Sequence, residues 1–219
     1  MKFNSRTIQI LRNFSTINPS LLFKPGHSIA TISQSKTLMA KATIETEIET
    51  TFAIYELAQF LSAISMFDDP ELTSGSKAIT IGSGSEKINF TYAEPSLILV
   101  PPAKAIELPS PEVQFELKND ILTRTQKALG IIGAPEIAVT GDGKAIYLEA
   151  LNTKNASEST YRVQVGETDK TFRLIFLAEN IKLLPDDYSV SISSKGLSHF
   201  KGTDVEYWVA VEATSTYTG

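Results

Sequence analysis

The sequence predicts an α+β protein of two similar halves, each with two short helices packed on antiparallel sheets. Three observations predict it. Short β-rich runs follow one another with turn signals between them. Only four segments carry the apolar spacing of a helix. A proline-rich stretch, holding Pro95, Pro101, Pro102, Pro109 and Pro111, divides the chain near its middle. These place an N-terminal domain at 1–98, a connector at 99–112 and a C-terminal domain at 113–219.

The first helix is expected over Ser5–Phe14, with Ile8, Leu11 and Phe14 on one face and Arg6, Gln9, Arg12 and Asn13 on the other. The second spans about Tyr55–Met66, with Leu57, Phe60, Leu61 and Ile64 as its buried stripe. A third runs from about Lys118 to Leu129 and stops at Gly130, a residue suited to the position after a helix. Ile121, Leu122 and Leu129 lie on its apolar side, Arg124 and Lys127 on its polar side. The fourth is short, about Leu177–Leu184, and ends at Pro185.

Strands are expected at Lys41–Thr46, Thr50–Ile54, Ala78–Ile81, Lys87–Tyr92, Glu136–Thr140, Ala145–Ala150, Tyr161–Val165, Thr171–Phe176, Tyr188–Ile192 and Val205–Val211. Gly141-Asp142-Gly143 marks the clearest hairpin, because an Asp-Gly pair supplies the positive φ angles of a tight turn. Each half repeats the order helix, strands, helix, strands. Thr51-Phe52 and Thr171-Phe172 lead into the second helix of each half, and Asp68-Asp69 and Asp186-Asp187 follow it.

Composition narrows the function classes. The 219 residues include 42% hydrophobic and 21% charged side chains, as in an ordinary globular protein. With no Cys, a disulfide scaffold, a thiolate nucleophile and Cys-ligated metal sites are excluded. No run approaches the 18 or so apolar residues of a membrane helix, so a soluble chain without a membrane partner is expected. The net charge of -5 is unevenly spread. Residues 1–44 hold Lys2, Arg6, Arg12, Lys24, Lys36 and Lys41 and no carboxylate, the first acid being Glu45. Such asymmetry points to a polyanion-facing element on an otherwise acidic protein. A targeting segment over Met1–Phe14 is the rival reading.

No active site emerges. His27 and His199 lie in opposite halves and read as surface or turn residues. Gly82-Ser83-Gly84-Ser85 lacks the Gly-Lys-Ser/Thr ending of a phosphate loop and reads as a hairpin turn between Ile81 and Ile88. Glu45, Glu47 and Glu49 alternate on one strand face, and the two Asp pairs read as turns rather than a carboxylate dyad. Asn155-Ala156-Ser157 matches a glycosylation sequon without a secretory signal to use it. What remains is basic charge on or beside helices: Lys2, Arg6, Arg12, Lys118, Arg124, Lys127 and Lys182. An ordinary solvated face and a phosphate-facing side both fit these residues.

The run Ile10-Leu11-Arg12-Asn13-Phe14-Ser15-Thr16-Ile17-Asn18 resembles the first helix and turn of the sliding clamps of T4-type bacteriophages. The likeness continues at Ala53-Ile54-Tyr55-Glu56-Leu57, Phe60-Leu61, Thr171-Phe172, Ile175, Asn180, Lys182 and Pro185, and closes at Tyr207-Trp208-Val209-Ala210-Val211-Glu212-Ala213. It covers nearly the whole chain, with Ser74–Val113 matched only in architecture, and it makes the N-terminal helix part of the repeat rather than a targeting segment. The resemblance implies a DNA-clamp fold closing head to tail into a homotrimeric ring, with four helices per chain lining the hole. It implies a non-enzymatic processivity factor without cofactor, working in the cytoplasm of the infected host cell. Its partners would be duplex DNA held without regard to sequence, a DNA polymerase and an ATP-driven clamp loader. A partner pocket would fall at Leu99, Val100, Pro101, Ile106 and Leu108 with Tyr207, Trp208 and Val209. The second helix departs from a basic lining, having neither Lys nor Arg. The runner-up is a non-enzymatic β-rich structural or oligomeric binding protein of a virion, and weaker still is an enzyme with acids such as Asp68 and Asp186 at a subunit boundary.

Overall fold

A computed structural model of the chain describes residues 1–155 and 158–219. It divides into two compact units, Met1–Lys104 and Ala105–Gly219.

The first unit begins with α1 (Ser5–Ile17), started by Asn4, whose side chain accepts the Thr7 amide at 2.7 Å and satisfies a first-turn N–H. Thr7, Ile10, Leu11, Phe14 and Ile17 form its buried stripe. The helix passes the expected end at Phe14 because nothing stops it before Asn18, which precedes Pro19 and takes extended dihedrals. Buried Asn18 then donates to the Ile32 carbonyl and accepts from the Ser20 amide, both at 3.0 Å. β1 (Leu21–Phe23), β2 (Gly26–Ile32), β3 (Leu38–Ile48) and β4 (Phe52–Ile54) follow. β1 pairs antiparallel with β4, and β2 with β3.

Next comes α2 (Leu57–Ile64), which buries the expected stripe of Leu57, Phe60, Leu61 and Ile64. It is shorter than expected: Tyr55 and Met66 lie exposed outside its ends. β5 (Glu71–Ser74), β6 (Ala78–Ser83) and β7 (Glu86–Thr91) form an antiparallel meander. Ile81 sits opposite Ile88, Gly82 and Ser83 extend β6, and Gly84-Ser85 form the tight turn, so the hairpin between Ile81 and Ile88 is the one its sequence suggested. An aromatic core joins these elements. Phe23 stacks on Phe52 with centroids 4.5 Å apart, and Phe60 meets Phe90 edge-on at 5.4 Å.

The second unit contains β8 (Val113–Leu117), α3 (Asn119–Ile132), β9 (Glu136–Asp142), β10 (Ala145–Leu151), β11 (Tyr161–Glu167), β12 (Thr171–Leu177), β13 (Tyr188–Ser193), β14 (Leu197–Lys201), β15 (Val205–Ala210) and β16 (Thr216–Tyr217). One antiparallel sheet has the order β11-β10-β9-β12-β16. The other runs β15-β14-β13-β8 within this unit. Leu122 and Thr125 of α3 face Phe115, Leu117, Val139, Leu148, Phe176 and Phe200 around one small apolar cavity, so both sheets and the helix share a core. α3 runs through Gly130 and ends at Gly133, which takes the left-handed conformation at φ 64° before Ala134-Pro135. The Asp142 carboxylate accepts the Lys144 and Ala145 amides at 3.0 and 2.9 Å and shapes the β9–β10 turn. At Gly141 the Phe172 ring and the Lys170 carbonyl leave no space for a Cβ.

The fourth helix is a correction. Only a 3₁₀ turn, Ala178–Asn180, forms there, and Ile181–Pro185 is irregular. Its backbone groups bond to side chains instead. The Tyr207 hydroxyl accepts the Leu184 amide at 3.1 Å, the Tyr188 hydroxyl donates to the Leu184 carbonyl at 2.6 Å, and Gln126 donates to the Leu183 carbonyl at 3.1 Å. The described residues therefore hold three α-helices rather than four. All ten expected strands correspond to strands of the structure, whereas β1, β2, β5, β8, β14 and β16 were not anticipated. Of these, β8 had a readable signal, Val113, Phe115 and Leu117 alternating with Gln114 and Glu116.

Candidate functional site

Two helices carry most of the basic side chains singled out by the sequence. α1 buries one side and leaves Arg12 exposed and Arg6 half-buried. α3 leaves Arg124 and Lys127 exposed together on the side away from Leu122 and Thr125, with Lys118 at its N-terminal boundary. Lys2 is exposed just ahead of α1. Lys182 is half-buried in the irregular segment after the 3₁₀ turn, not on a helix. α2 contributes no cation.

The cations divide by their company. Lys118 lies 3.0 Å from Asp187, and Arg124 lies 2.6 Å from Asp120 one turn earlier on α3. Lys2 pairs with Asp69. Arg12 and Lys127 have no ion-pair partner among the described residues. Asp187 also accepts the Asn119 amide at 2.8 Å, acting as the N-terminal cap that Lys118 itself cannot provide. The Asn119 amide, followed by Lys118, holds the Asp187 carboxyl below the usual carboxylate range. The hydrogen bond from Lys118 to Asp187 raises the lysine in turn. The spacing of Asp120 and Arg124 was a signal that sequence reasoning missed.

The expected partner pocket divides between surface and core. Leu99 and Pro101 are half-buried and Val100 is exposed in the first unit; Ile106 and Leu108 are half-buried in the second. Tyr207 and Val209 are fully buried, and the Tyr207 ring lies edge-on to Tyr188 at 6.0 Å, so both side chains belong to the second unit's core. Trp208 occupies the opposite face of β15. It stacks nearly parallel on His199 with ring centroids 4.7 Å apart, and His199 Nε2 lies 2.9 Å from Glu206.

The other motifs have structural partners. His27 is exposed, with Nδ1 3.2 Å from the Ile44 carbonyl oxygen. Glu45 accepts a hydrogen bond from Asn4 at 2.7 Å. The Asp186 carboxylate accepts the Asp187 amide at 2.9 Å, and Asp69 sits in a left-handed turn at φ 49°. The two Asp pairs thus serve separate turns, one in each unit. Ala156 and Ser157 of the Asn155-Ala156-Ser157 sequon lie outside the described residues. Among the described residues no group of three or more His, Asp or Glu could hold a metal ion. None of their helices is long and apolar enough to cross a membrane.

Comparison with known proteins places these elements in a family. Residues 2–100 match the model of the DNA polymerase processivity factor family, and residues 114–213 match that of the C-terminal part of the gp45 sliding clamp. The sliding clamp of Vibrio phage KVP40 is 34% identical over 97% of this chain and 100% of its own length. The sliding clamp of Enterobacteria phage T4 is 31% identical over 99% of both chains. Among solved structures, PCNA from Thermococcus kodakaraensis superposes with a TM-score of 0.72 at 13% identity, covering 96% of this chain and 98% of that one. A. fulgidus PCNA, solved with the C-terminal region of FEN-1, superposes at 0.70 with 14% identity, covering 95% and 96%. Those two structures share the fold. On sequence and fold together, the chain belongs to the sliding clamp family of DNA polymerase processivity factors.

Proposed function

We propose that three copies of the chain close head to tail into a ring around duplex DNA and tether a replicative DNA polymerase to its template. The observation that carries this reading is the exposed basic side of α1 and α3 in a protein of net charge -5. Cations on those helices attract phosphates while an acidic exterior repels DNA, so the duplex threads a hole rather than coating the surface. Phosphate contacts carry no base identity, so binding is independent of sequence and falls with salt. Topology prevents escape while weak contacts permit sliding.

Two strand edges support the ring. β7 ends the meander of the first unit and β11 ends the five-stranded sheet of the second, each with one side unpaired among the described residues. An unpaired edge invites another strand, and a head-to-tail ring satisfies both edges with one contact per neighbour. The DNA-facing set is Lys2, Arg6, Arg12, Lys118, Arg124, Lys127 and Lys182. Arg12 and Lys127 lead it, since neither is neutralised by a neighbour.

Polymerase and clamp-loader tails would dock along the connector, where Val100 is exposed and Leu99, Pro101, Ile106 and Leu108 are half-buried. Tyr207, Trp208 and Val209, the other residues of the expected pocket, are buried and would act there only through the packing of β15. The chain itself performs no chemistry; a separate loader supplies ATP-driven opening. The ring works where phage DNA is copied, in the cytoplasm of the infected cell. Membership of the clamp family displaces the virion-protein alternative.

Combined charge reversal of Arg6, Arg12, Arg124 and Lys127 tests the reading in a reconstituted replication assay. Processivity falls while circular dichroism stays unchanged if these residues face DNA. Unchanged processivity would refute the assignment.

A further inference from the structure

We propose that Asp69, Asp120 and Asp187 are tuning residues of the DNA-facing side: by holding Lys2, Arg124 and Lys118 in ion pairs they loosen the grip of the ring on phosphates. The inference rests on the sliding-clamp reading and adds to it the residues that set how loosely DNA is held. All three pairs are open to water. Side-chain exposure is 54% and 79% for Lys2 and Asp69, 58% and 55% for Lys118 and Asp187, and 62% and 68% for Arg124 and Asp120. Pairs so exposed add little to stability, so the fold gains little by keeping them.

Their consequence for a polyanion is larger. A phosphate that takes Lys118 must displace Asp187, which remains tied to the Asn119 amide and leaves a carboxylate beside the incoming charge. The same holds at Arg124, whose acid partner sits one turn away on a rigid helix. Each paired cation therefore returns less than one full phosphate contact. Arg12 and Lys127 have no such competitor. Of these five cations, two make full contacts and three make weakened ones, which suits a ring that must be held yet move.

A purely structural role for the acids is the rival. Asp187 caps α3 and Asp120 lies in its first turn, where an acid favours the helix. Asp69 has no such duty, since it lies in a turn outside both helices of its unit, yet it too is paired with a basic residue. Asparagine separates the two roles: it keeps an oxygen for the Asn119 amide and removes the charge.

The test compares the full chain with Asp69→Asn/Asp120→Asn/Asp187→Asn, measuring affinity for a short linear duplex by fluorescence anisotropy across a range of salt. Counterion release gives a log–log slope of about 0.9 per phosphate neutralised, so three freed cations steepen it by up to about 2.7 per chain and raise affinity at low salt at least tenfold. Arg12→Ala/Lys127→Ala lowers the slope of the unmodified chain by more than twice as much as Lys118→Ala/Arg124→Ala. An unchanged slope in the triple variant, with salt-dependent binding by the unmodified chain intact, would overturn the tuning role alone. Salt-independent or absent binding by both proteins would overturn the clamp reading and the tuning role together. Should the triple variant unfold, Asp69→Asn by itself, away from every helix end, decides the question: a steeper slope supports tuning and an unchanged one overturns it.

Discussion

The two units answer the same sequence cue differently. After β4 the first unit forms α2, with Leu57, Phe60, Leu61 and Ile64 buried along one side. After β12, at the corresponding point, the second unit forms only a 3₁₀ turn and an irregular run to Pro185. Both segments are apolar and both follow a strand. What differs is who holds the backbone. In α2 the chain holds itself, with the Phe60 amide on the Glu56 carbonyl and the Ser65 amide on the Leu61 carbonyl, both at 3.0 Å. In the second unit Tyr188, Tyr207 and Gln126 reach in and take the backbone groups of Leu183 and Leu184. A helix is one way to satisfy buried peptide groups, and well-placed tyrosines are another.

Breaking each arrangement exposes the difference. The largest effect falls on α2: Phe60→Ala empties the space between Phe23 and Phe90 and costs about 3–5 kcal/mol in urea unfolding. In the second unit, Tyr188→Phe leaves the buried Leu184 carbonyl without its donor and costs about 1–3 kcal/mol. Tyr207→Phe leaves the Leu184 amide unpaired and costs a similar amount, and the double variant shows coupling because the two hydroxyls serve one residue. At the start of α1, Asn4→Ala removes the cap on Thr7 and costs about 1 kcal/mol. The smallest effect sharpens the comparison most. Pro185→Ala leaves residues 181–184 irregular by NMR chemical shift, because the tyrosines still hold them; a new helical turn there would make the proline the sole cause.

Acid sharpens the comparison at the edge of α3. The Asn119 amide and Lys118 keep the Asp187 carboxyl below its ordinary value, and the Ala145 and Lys144 amides do the same for Asp142. A lowered folded value means that the stability these groups contribute is complete above the ordinary Asp value of about 3.9 and disappears as pH falls through the folded one. A Tm series into acid should therefore decline less steeply for Asp187→Asn than for the unmodified chain.

The sequence carried the strands and the helical stripes well because their burial follows simple periods. The α2 stripe was legible residue by residue, and so was the hairpin between Ile81 and Ile88, though only Gly84-Ser85 form its turn. The fourth helix was misread because the capture of Leu184 depends on tyrosines 4 and 23 residues away, a tertiary arrangement no local pattern displays. The end of α3 was placed one turn early because Gly130 and Gly133 both fit the signal, and only Ala134-Pro135 decides between them. In the candidate site the cations were visible and their neutralisation was not. Asp187 and Asp69 pair across 69 and 67 residues, and only Asp120 stood at a spacing that sequence could reveal.

Light scattering across a wide range of protein concentration tests the ring itself, on which the encircling mechanism depends. A closed trimer predicts a species of three times 23.9 kDa that dissociates on dilution without an intermediate open polymer. A monomer at every concentration would contradict it, since a single chain has no hole for DNA to thread.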